Sequence, residues 1–200
     1  MRVIAGSAGG VPLKAPRDGT RPTTDRVREA VFSALADWAG AGGAPAATQL
    51  TGLALLDLYA GSGAVAIEAL SRGARRAVAV DSATGAVKTM QANATAAGLP
   101  LDVVRATVDA YLTRFGKDAA DRFDIVWLDP PYDLAEDELS AVFTRLVDGS
   151  LLVPGGLVVL ERSARGPGPV WPARLDSAWC KRYGETVIHF AEAADQQEEP

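Results

Sequence analysis

A chain of 200 residues with 48% apolar and 22% charged side chains has the make-up of a globular protein of about one domain, long enough to bury roughly 70% of its unfolded surface without a disulfide or metal to help. Its single cysteine, Cys180, and single histidine, His189, exclude a disulfide framework, a multi-thiolate zinc site and a histidine-cluster metal centre, so no metal is expected. The net charge of −5 hides a polarity: residues 1–30 hold six basic side chains against three acidic ones, residues 185–200 hold five acidic and no basic ones, and a polyanion is therefore expected at the head.

No apolar run approaches the ~18 residues that cross a bilayer, and the opening stretch, MRVIAGSAGGVPLKAP, lacks the apolar segment of a signal peptide. A reduced, cytoplasmic, monomeric protein is the expectation.

In chain order, residues 2–5 and 11–14 flank the glycine-rich turn Gly6 to Gly10 and read as a small hairpin, with Pro12 placing its second arm at an edge. After a loop from Pro16 to Pro22, Thr23 or Thr24 caps a helix that runs to about Trp38, its apolar Val27, Val31, Leu35 and Trp38 at helical spacing. The Gly/Ala-rich stretch from Gly40 to Thr48 reads as a linker or flexible loop. From Leu53 the pattern alternates. Strands are expected at Leu53–Leu58, Ala77–Val80, Leu101–Arg105, Phe123–Leu128 and Leu157–Glu161. Helices are expected at Val65–Ser71, Thr84–Ala97 (closed by Gly98), near Asp109–Phe115 and at Glu136–Val147. Strands apolar on both faces that alternate with helices imply a parallel sheet covered on both sides. Trp179–Tyr183 and Thr186–Phe190 are separated by Gly184-Glu185 alone, too short for a crossover, so the sheet ends in an antiparallel hairpin. The expected division is a head over 1–39, a linker over 40–52, an α/β domain over 53–191 and a flexible acidic tail over 192–200.

A ligand loop follows the first strand of that domain. Leu55 to Leu58 runs into Gly61-Ser62-Gly63 and a helix opens, so glycines let backbone approach a ligand while the helix start offers free N–H groups. Asp81 ends the next strand, twenty residues after Gly61, where a carboxylate can accept both hydroxyls of an adenosine ribose. Gly61-x-Gly63-x-x-Ala66 formally matches a dinucleotide fingerprint. Asp57, four positions before Gly61, favours S-adenosylmethionine instead: a carboxylate there repels a pyrophosphate and attracts an ammonium.

The second motif is Asp129-Pro130-Pro131-Tyr132, directly after the strand Phe123–Leu128. Two prolines fix the backbone and remove two donors. The Pro130 carbonyl and Asp129 then serve as acceptors, and Tyr132 offers a flat face. This set suits a planar base with an exocyclic amino group. The amine's lone pair is delocalised into the ring; two acceptors on its N–H bonds turn the nitrogen toward sp3 and aim that pair at an electrophile. Positioning is then most of the catalysis, and a base withdrawn from its helix can stack on Tyr132.

With these motifs placed, the chain resembles class I S-adenosylmethionine-dependent methyltransferases of the amino-group type. Arg21-Pro22-Thr23-Thr24-Asp25-Arg26-Val27-Arg28-Glu29, together with the Gly-rich hairpin, the stretch from Asp57 to Glu68, Ser-Arg-Gly-Ala at 71–74 and the DPPY, resembles the RsmD family, which methylates N2 of a guanine in 16S ribosomal RNA. The resemblance implies a Rossmann-like, seven-stranded, mostly parallel sheet with an antiparallel last strand. It implies bound S-adenosyl-L-methionine and a substrate presented by an assembled or partly assembled 30S subunit. Carried over residue by residue, it places Asp57, Ala60, Gly61, Ser62 and Gly63 around the methionine part, with Pro22, Thr23 and Thr24 closing over it. Asp81 and Ser82 fall at the ribose, and Thr107, Val108 and Asp109 at the adenine. Asp129, Pro130, Pro131 and Tyr132 take the target base, and Lys14, Arg17, Arg21 and Arg26 meet RNA. Asp at position 129 also suits methylation of adenine N6 in DNA, and an RNA-binding assembly factor without catalysis is the reading from another class.

Of the remaining residues, Trp38 and Trp127 are expected in the core, and Trp171 and Trp179 beneath the C-terminal hairpin. Cys180 and His189 are expected to be sheet residues without chemistry. Glu68 either braces Thr23-Thr24 or is solvated, and Arg162 and Arg165 are either phosphate contacts or surface charges.

Overall fold

The computed structural model describes residues 1–15, 24–114, 122–131 and 133–194. Arg17, Arg21, Pro22, Thr23, Tyr132 and the acidic end from Asp195 lie outside the described residues. The chain divides into two compact units, Met1–Thr107 and Val108–Pro200, and its seven strands belong to one mixed sheet.

The first unit opens with the expected hairpin in minimal form. Arg2 and Pro12 form an antiparallel bridge, flanked by Val3 N–H to the Val11 carbonyl at 3.0 Å and Leu13 N–H to the Met1 carbonyl at 3.1 Å. Helix α1 (Asp25–Trp38) starts where Thr24 caps it, the threonine Oγ1 accepting from Val27 N–H at 3.3 Å. Its buried face is Val27, Arg28, Val31, Phe32, Leu35 and Ala36. Trp38, expected in the core, is half-buried at the helix end. The stretch expected to be a linker carries a 3-10 turn at Ala46–Thr48 and local hydrogen bonds such as Ala41 N–H to the Ala36 carbonyl at 2.7 Å.

Strands β1 (Ala54–Leu58), β2 (Arg76–Asp81) and β3 (Asp102–Arg105) pair in parallel in the order β3-β2-β1. Helices α2 (Ala64–Ser71) and α3 (Thr84–Ala97) are the crossovers that parallel neighbours require. Every residue of β1 is buried, as expected for a strand covered on both faces. Gly98, left-handed at φ 64°, closes α3.

The second unit holds α4 (Val108–Arg114), β4 (Phe123–Leu128), α5 (Glu136–Asp148), β5 (Leu152–Ser163), β6 (Leu175–Tyr183) and β7 (Thr186–Ala193). β4 and β5 are parallel, and the order continues β5-β7-β6 with both of those pairings antiparallel. Gly184, at φ 64°, makes the two-residue turn between Tyr183 and Thr186. Several strands run past their expected ends, β5 and β6 by the most. Pro154-Gly155-Gly156 breaks the apolar pattern of β5, yet the strand passes through it with a register irregularity against β4. β6 begins at Leu175 because its pairing with β7 does not depend on burial; Asp176 to Arg182 are all exposed.

Candidate functional site

In the first unit the glycine loop is fixed from several sides. Ala60 N–H donates to the Val80 carbonyl at 3.0 Å, which ties the end of β1 to β2, and Gly63 N–H closes a tight turn on the Ala60 carbonyl at 2.7 Å. Gly61 N–H donates to Asp81 Oδ2 at 2.9 Å while Asp81 Oδ1 accepts from Ala83 N–H at 2.8 Å, so the acid expected at a ribose also sets the loop. Gly61 and Gly63 have φ of 54° and 72°, and a Cβ on Gly63 would lie 3.0 Å from Met90 Cγ. Tyr59, at φ 61°, takes the left-handed region without being glycine. Such strain is of order 1–3 kcal/mol and persists where surrounding bonds over-determine the backbone. No spacing in the sequence signals it.

Asp57 is almost fully buried, and its Oδ2 accepts Ala66 N–H at 3.2 Å. Ala66 is the third residue of α2, whose N-cap, Gly63, has no side chain to satisfy such a donor; Asp57 does so from the neighbouring strand. Burial pushes its carboxyl up to about 8, opposed by the Ala66 N–H and reinforced by Asp81. Burial thus disfavours the bare carboxylate, and an ammonium placed against it would favour the charged form. The N–H groups of Gly61, Gly63 and Ala66 are bonded inside the protein, which leaves a pyrophosphate fewer loop donors. What remains fits an amino-acid nucleoside: a buried acid for an ammonium and Asp81, half-buried beside exposed Ser82, for hydroxyls.

Glu68 is fully buried, which excludes the solvated reading and corrects the expected partner: it holds the hairpin. Its carboxylate accepts Ile4 N–H at 2.7 Å, Ala5 N–H at 3.1 Å and Arg72 Nε at 2.8 Å, with Arg28 Nε at 3.9 Å. Arg28 donates to the Arg2 carbonyl and to Asp25; Arg72 donates to Gln49 Oε1 at 2.7 Å and lies over the Phe32 ring, 5.2 Å from its centroid. Ser71 continues the seam: its Oγ accepts Ala8 N–H at 3.0 Å and donates to the Ala5 carbonyl, and its own carbonyl accepts Ser7 N–H at 2.7 Å. A Cβ on Gly6, at φ 88°, would sit 1.9 Å from that carbonyl. Glu68 and Ser71 thus dock the hairpin, while Arg72, Gly73 and Ala74 face the 47–51 stretch. Thr24 is spent as the α1 cap, while Lys14 and Arg26 are exposed as a contact surface requires.

In the second unit β4 delivers Asp129 half-buried, Pro130 buried and Pro131 exposed. The Pro131 carbonyl accepts Leu134 N–H at 3.0 Å, which turns the chain toward α5. No described residue donates to the Pro130 carbonyl. The Asp109 carboxylate pairs with Arg145 of α5, and Val108 is buried at the start of α4. Thr107, in the first unit, is exposed. Arg162 lies two residues past Leu160, the register partner of Leu128, and approaches Glu136 at 4.0 Å; Arg165 pairs with Glu185 at 2.6 Å. Trp127 is core, Trp179 stacks on Phe190 with centroids 5.1 Å apart, and Trp171 meets Phe143 at 4.5 Å. Cys180 and His189 face each other across β6 and β7, and burial, with the Arg162 charge, lowers the imidazole. Among the described residues no cluster of metal-ligating side chains occurs, and no helix is long and apolar enough to cross a membrane.

Comparison with known proteins places this geometry. The family model described as conserved hypothetical protein 95 matches residues 1–192. YlbH of Bacillus subtilis is 35% identical over 197 residues, covering 94% of this chain and 96% of that protein. Ribosomal RNA small subunit methyltransferase D of Escherichia coli K12 is 31% identical over 175 residues, covering 86% and 80%. The solved structure of yhhF from Escherichia coli superposes with a TM-score of 0.78 at 28% identity, over 98% of this chain and 99% of that one. At lower identity, RNA methyltransferases solved with S-adenosylhomocysteine or AdoMet share the α/β fold.

Proposed function

The chain belongs to the conserved hypothetical protein 95 family, the RsmD family of ribosomal RNA methyltransferases, and from that premise we propose that it transfers a methyl group from S-adenosyl-L-methionine to the exocyclic N2 of a guanine in 16S ribosomal RNA, on an assembled or partly assembled 30S subunit. The observation that carries the reading is the end of β4, where Asp129 stands beside a Pro130 carbonyl that no described residue engages.

When bound, S-adenosylmethionine supplies an electrophilic methyl on a sulfonium. The chain's own residues do the rest. Asp57 receives the ammonium of the methionine part and gives up its proton; Asp81 and Ser82 take the ribose hydroxyls, and Ala60 to Gly63 line the methionine part. Thr107, with the α4 start at Val108 and Asp109, falls at the adenine; because Asp109 is paired with Arg145, recognition there rests on backbone. Asp129 and the Pro130 carbonyl accept the two N–H bonds of the base amine, so its lone pair stands out of the ring plane. Pro131 stiffens the turn, and Tyr132 stacks on the base. No strong base is needed, because an N-methylated ring ammonium is acidic and releases its proton to Asp129 or to water. Pro22, Thr23 and Thr24 close over the cofactor, while Lys14, Arg17, Arg21 and Arg26 grip phosphates.

The test is radiolabelled methyl transfer onto undermethylated 30S subunits, naked 16S RNA and duplex DNA in parallel, with nucleoside mass spectrometry of the product. N2-methylguanosine from the subunit supports the proposal. N6-methyladenine from DNA, to which Asp129 in the first motif position points, replaces it, and no transfer to any substrate returns the assembly-factor reading.

A further inference from the structure

Asn93, in the middle of α3, is a residue to which the sequence motifs assign nothing. It is 1% exposed and makes three hydrogen bonds. Its Oδ1 accepts Lys14 N–H at 2.8 Å, and its Nδ2 donates to the Lys14 carbonyl at 3.0 Å and to the Ser62 carbonyl at 3.0 Å. One amide therefore pairs with both backbone groups of Lys14, as a neighbouring strand would, and spends its last donor on the middle residue of the glycine loop. Asparagine is a poor helix-interior residue, and α3 accommodates it for a tertiary reason. Aspartate offers no donor for the two carbonyls, and glutamine is one methylene too long for the same span.

The three bonds join two parts of the proposed enzyme. Ser62 sits between Gly61, held by Asp81, and Gly63, packed against Met90. Lys14 ends the hairpin and leads toward the Arg-Pro-Thr-Thr segment. Asn93 and its bond to the Ser62 carbonyl are buried, so water does not replace that bond, and a shift of the amide with the Lys14 strand leaves the Ser62 carbonyl without its partner.

We infer that Asn93 is a positioning residue that couples the cofactor loop to the RNA-contact strand, so that a ligand ordering Ser62 also orders Lys14. The inference rests on the methyltransferase reading. By linkage, RNA that grips the Lys14 strand tightens cofactor binding by the same factor.

Amide hydrogen exchange on the full chain, with and without saturating S-adenosylhomocysteine, tests it without RNA. In the wild type the ligand should slow exchange in peptides covering both 61–63 and 11–15, at least tenfold at Lys14. In Asn93→Ala the protection at 61–63 should persist in reduced form and that at 11–15 should vanish. Asn93→Asp, which keeps the acceptor for Lys14 N–H but removes both donors, should also lose the ligand-dependent protection, and it decides the matter if the alanine variant does not fold. Equal protection of 11–15 in wild type and variants overturns the inference, as does a wild type in which only the loop responds. Absence of any S-adenosylhomocysteine binding is a separate outcome, read in the loop peptide, and removes the methyltransferase reading together with what rests on it.

Discussion

Asp57 accepts the backbone N–H of Ala66 at 3.2 Å, so a buried acid at the end of one strand caps the helix that the glycine loop opens. Its raised pKa, about 8 against 3.8 for a free aspartate, means that between those values the folded chain holds a proton that the unfolded chain releases. This contribution to stability is full below about pH 4 and is lost as pH rises through 8. Asp57→Asn keeps an oxygen for Ala66 and carries no charge. Its advantage over the wild type in thermal or urea unfolding should therefore grow by roughly 3 kcal/mol between pH 6 and pH 9, while its S-adenosylhomocysteine binding falls below detection.

The same proton should appear in the binding reaction. An ammonium against Asp57 favours the carboxylate, so complex formation releases a proton below pH 8 and affinity rises toward that pH. Calorimetry in buffers of different ionisation enthalpy should report about one proton released at pH 6.5. No proton release, or an affinity that is flat in pH, would show that Asp57 does not meet the ammonium.

Glu68→Ala should be the most damaging single change in the first unit. It removes the acceptor of two hairpin N–H groups, leaves the almost fully buried Arg72 without its carboxylate, and leaves the buried Arg28 with Asp25 alone. Breaking a buried pair from one side is worth about 3–5 kcal/mol, read from urea denaturation. Trypsin should cut after Lys14 faster in this variant than in the wild type.

Asp129→Ala should separate chemistry from cofactor binding. Losing one of two acceptors on the base amine lowers kcat by about 100-fold or more and leaves the S-adenosylhomocysteine dissociation constant unchanged. A matched loss in both quantities would mean that Asp129 only supports the fold.

Lys14 and Arg26 are exposed on described backbone and belong to the proposed RNA surface. Removing both charges should weaken binding to a 16S RNA fragment evenly across sequences. It should also flatten the plot of log affinity against log salt by about 1.4, two single-strand phosphate contacts. An unchanged slope would move the RNA elsewhere.

Much of the fold was legible because periodicity reports burial. The fully buried β1, the α3 bounds Thr84–Ala97 with Gly98, and the two-residue turn at Gly184 all follow from local pattern. What the pattern missed is long-range polar pairing. Arg28 sits on the buried face of α1, paired with Asp25 and facing the Arg2 carbonyl and Glu68, forty residues on, and nothing near Arg28 in the chain signals those last two partners. Asn93 looks like a weak point in a helix until Lys14, 79 residues earlier, is seen against it. The pairing of Asp109 with Arg145 of α5 is likewise invisible in the sequence around either residue. For Asp57 spacing gives a position, and only burial shows how far its carboxyl is pushed up.

Glu68, Ser71 and Asn93 all grasp the N-terminal hairpin through main-chain atoms: the amides of Ile4, Ala5, Ala8 and Lys14 and the carbonyls of Ala5 and Lys14. Apart from Gly6 and the buried Val3, Ala8 and Leu13, then, mooring of this segment is indifferent to which side chains it displays. Its solvent-facing decoration can be exchanged while the anchorage stays as it is, a division of labour between an outer face and an inner seam.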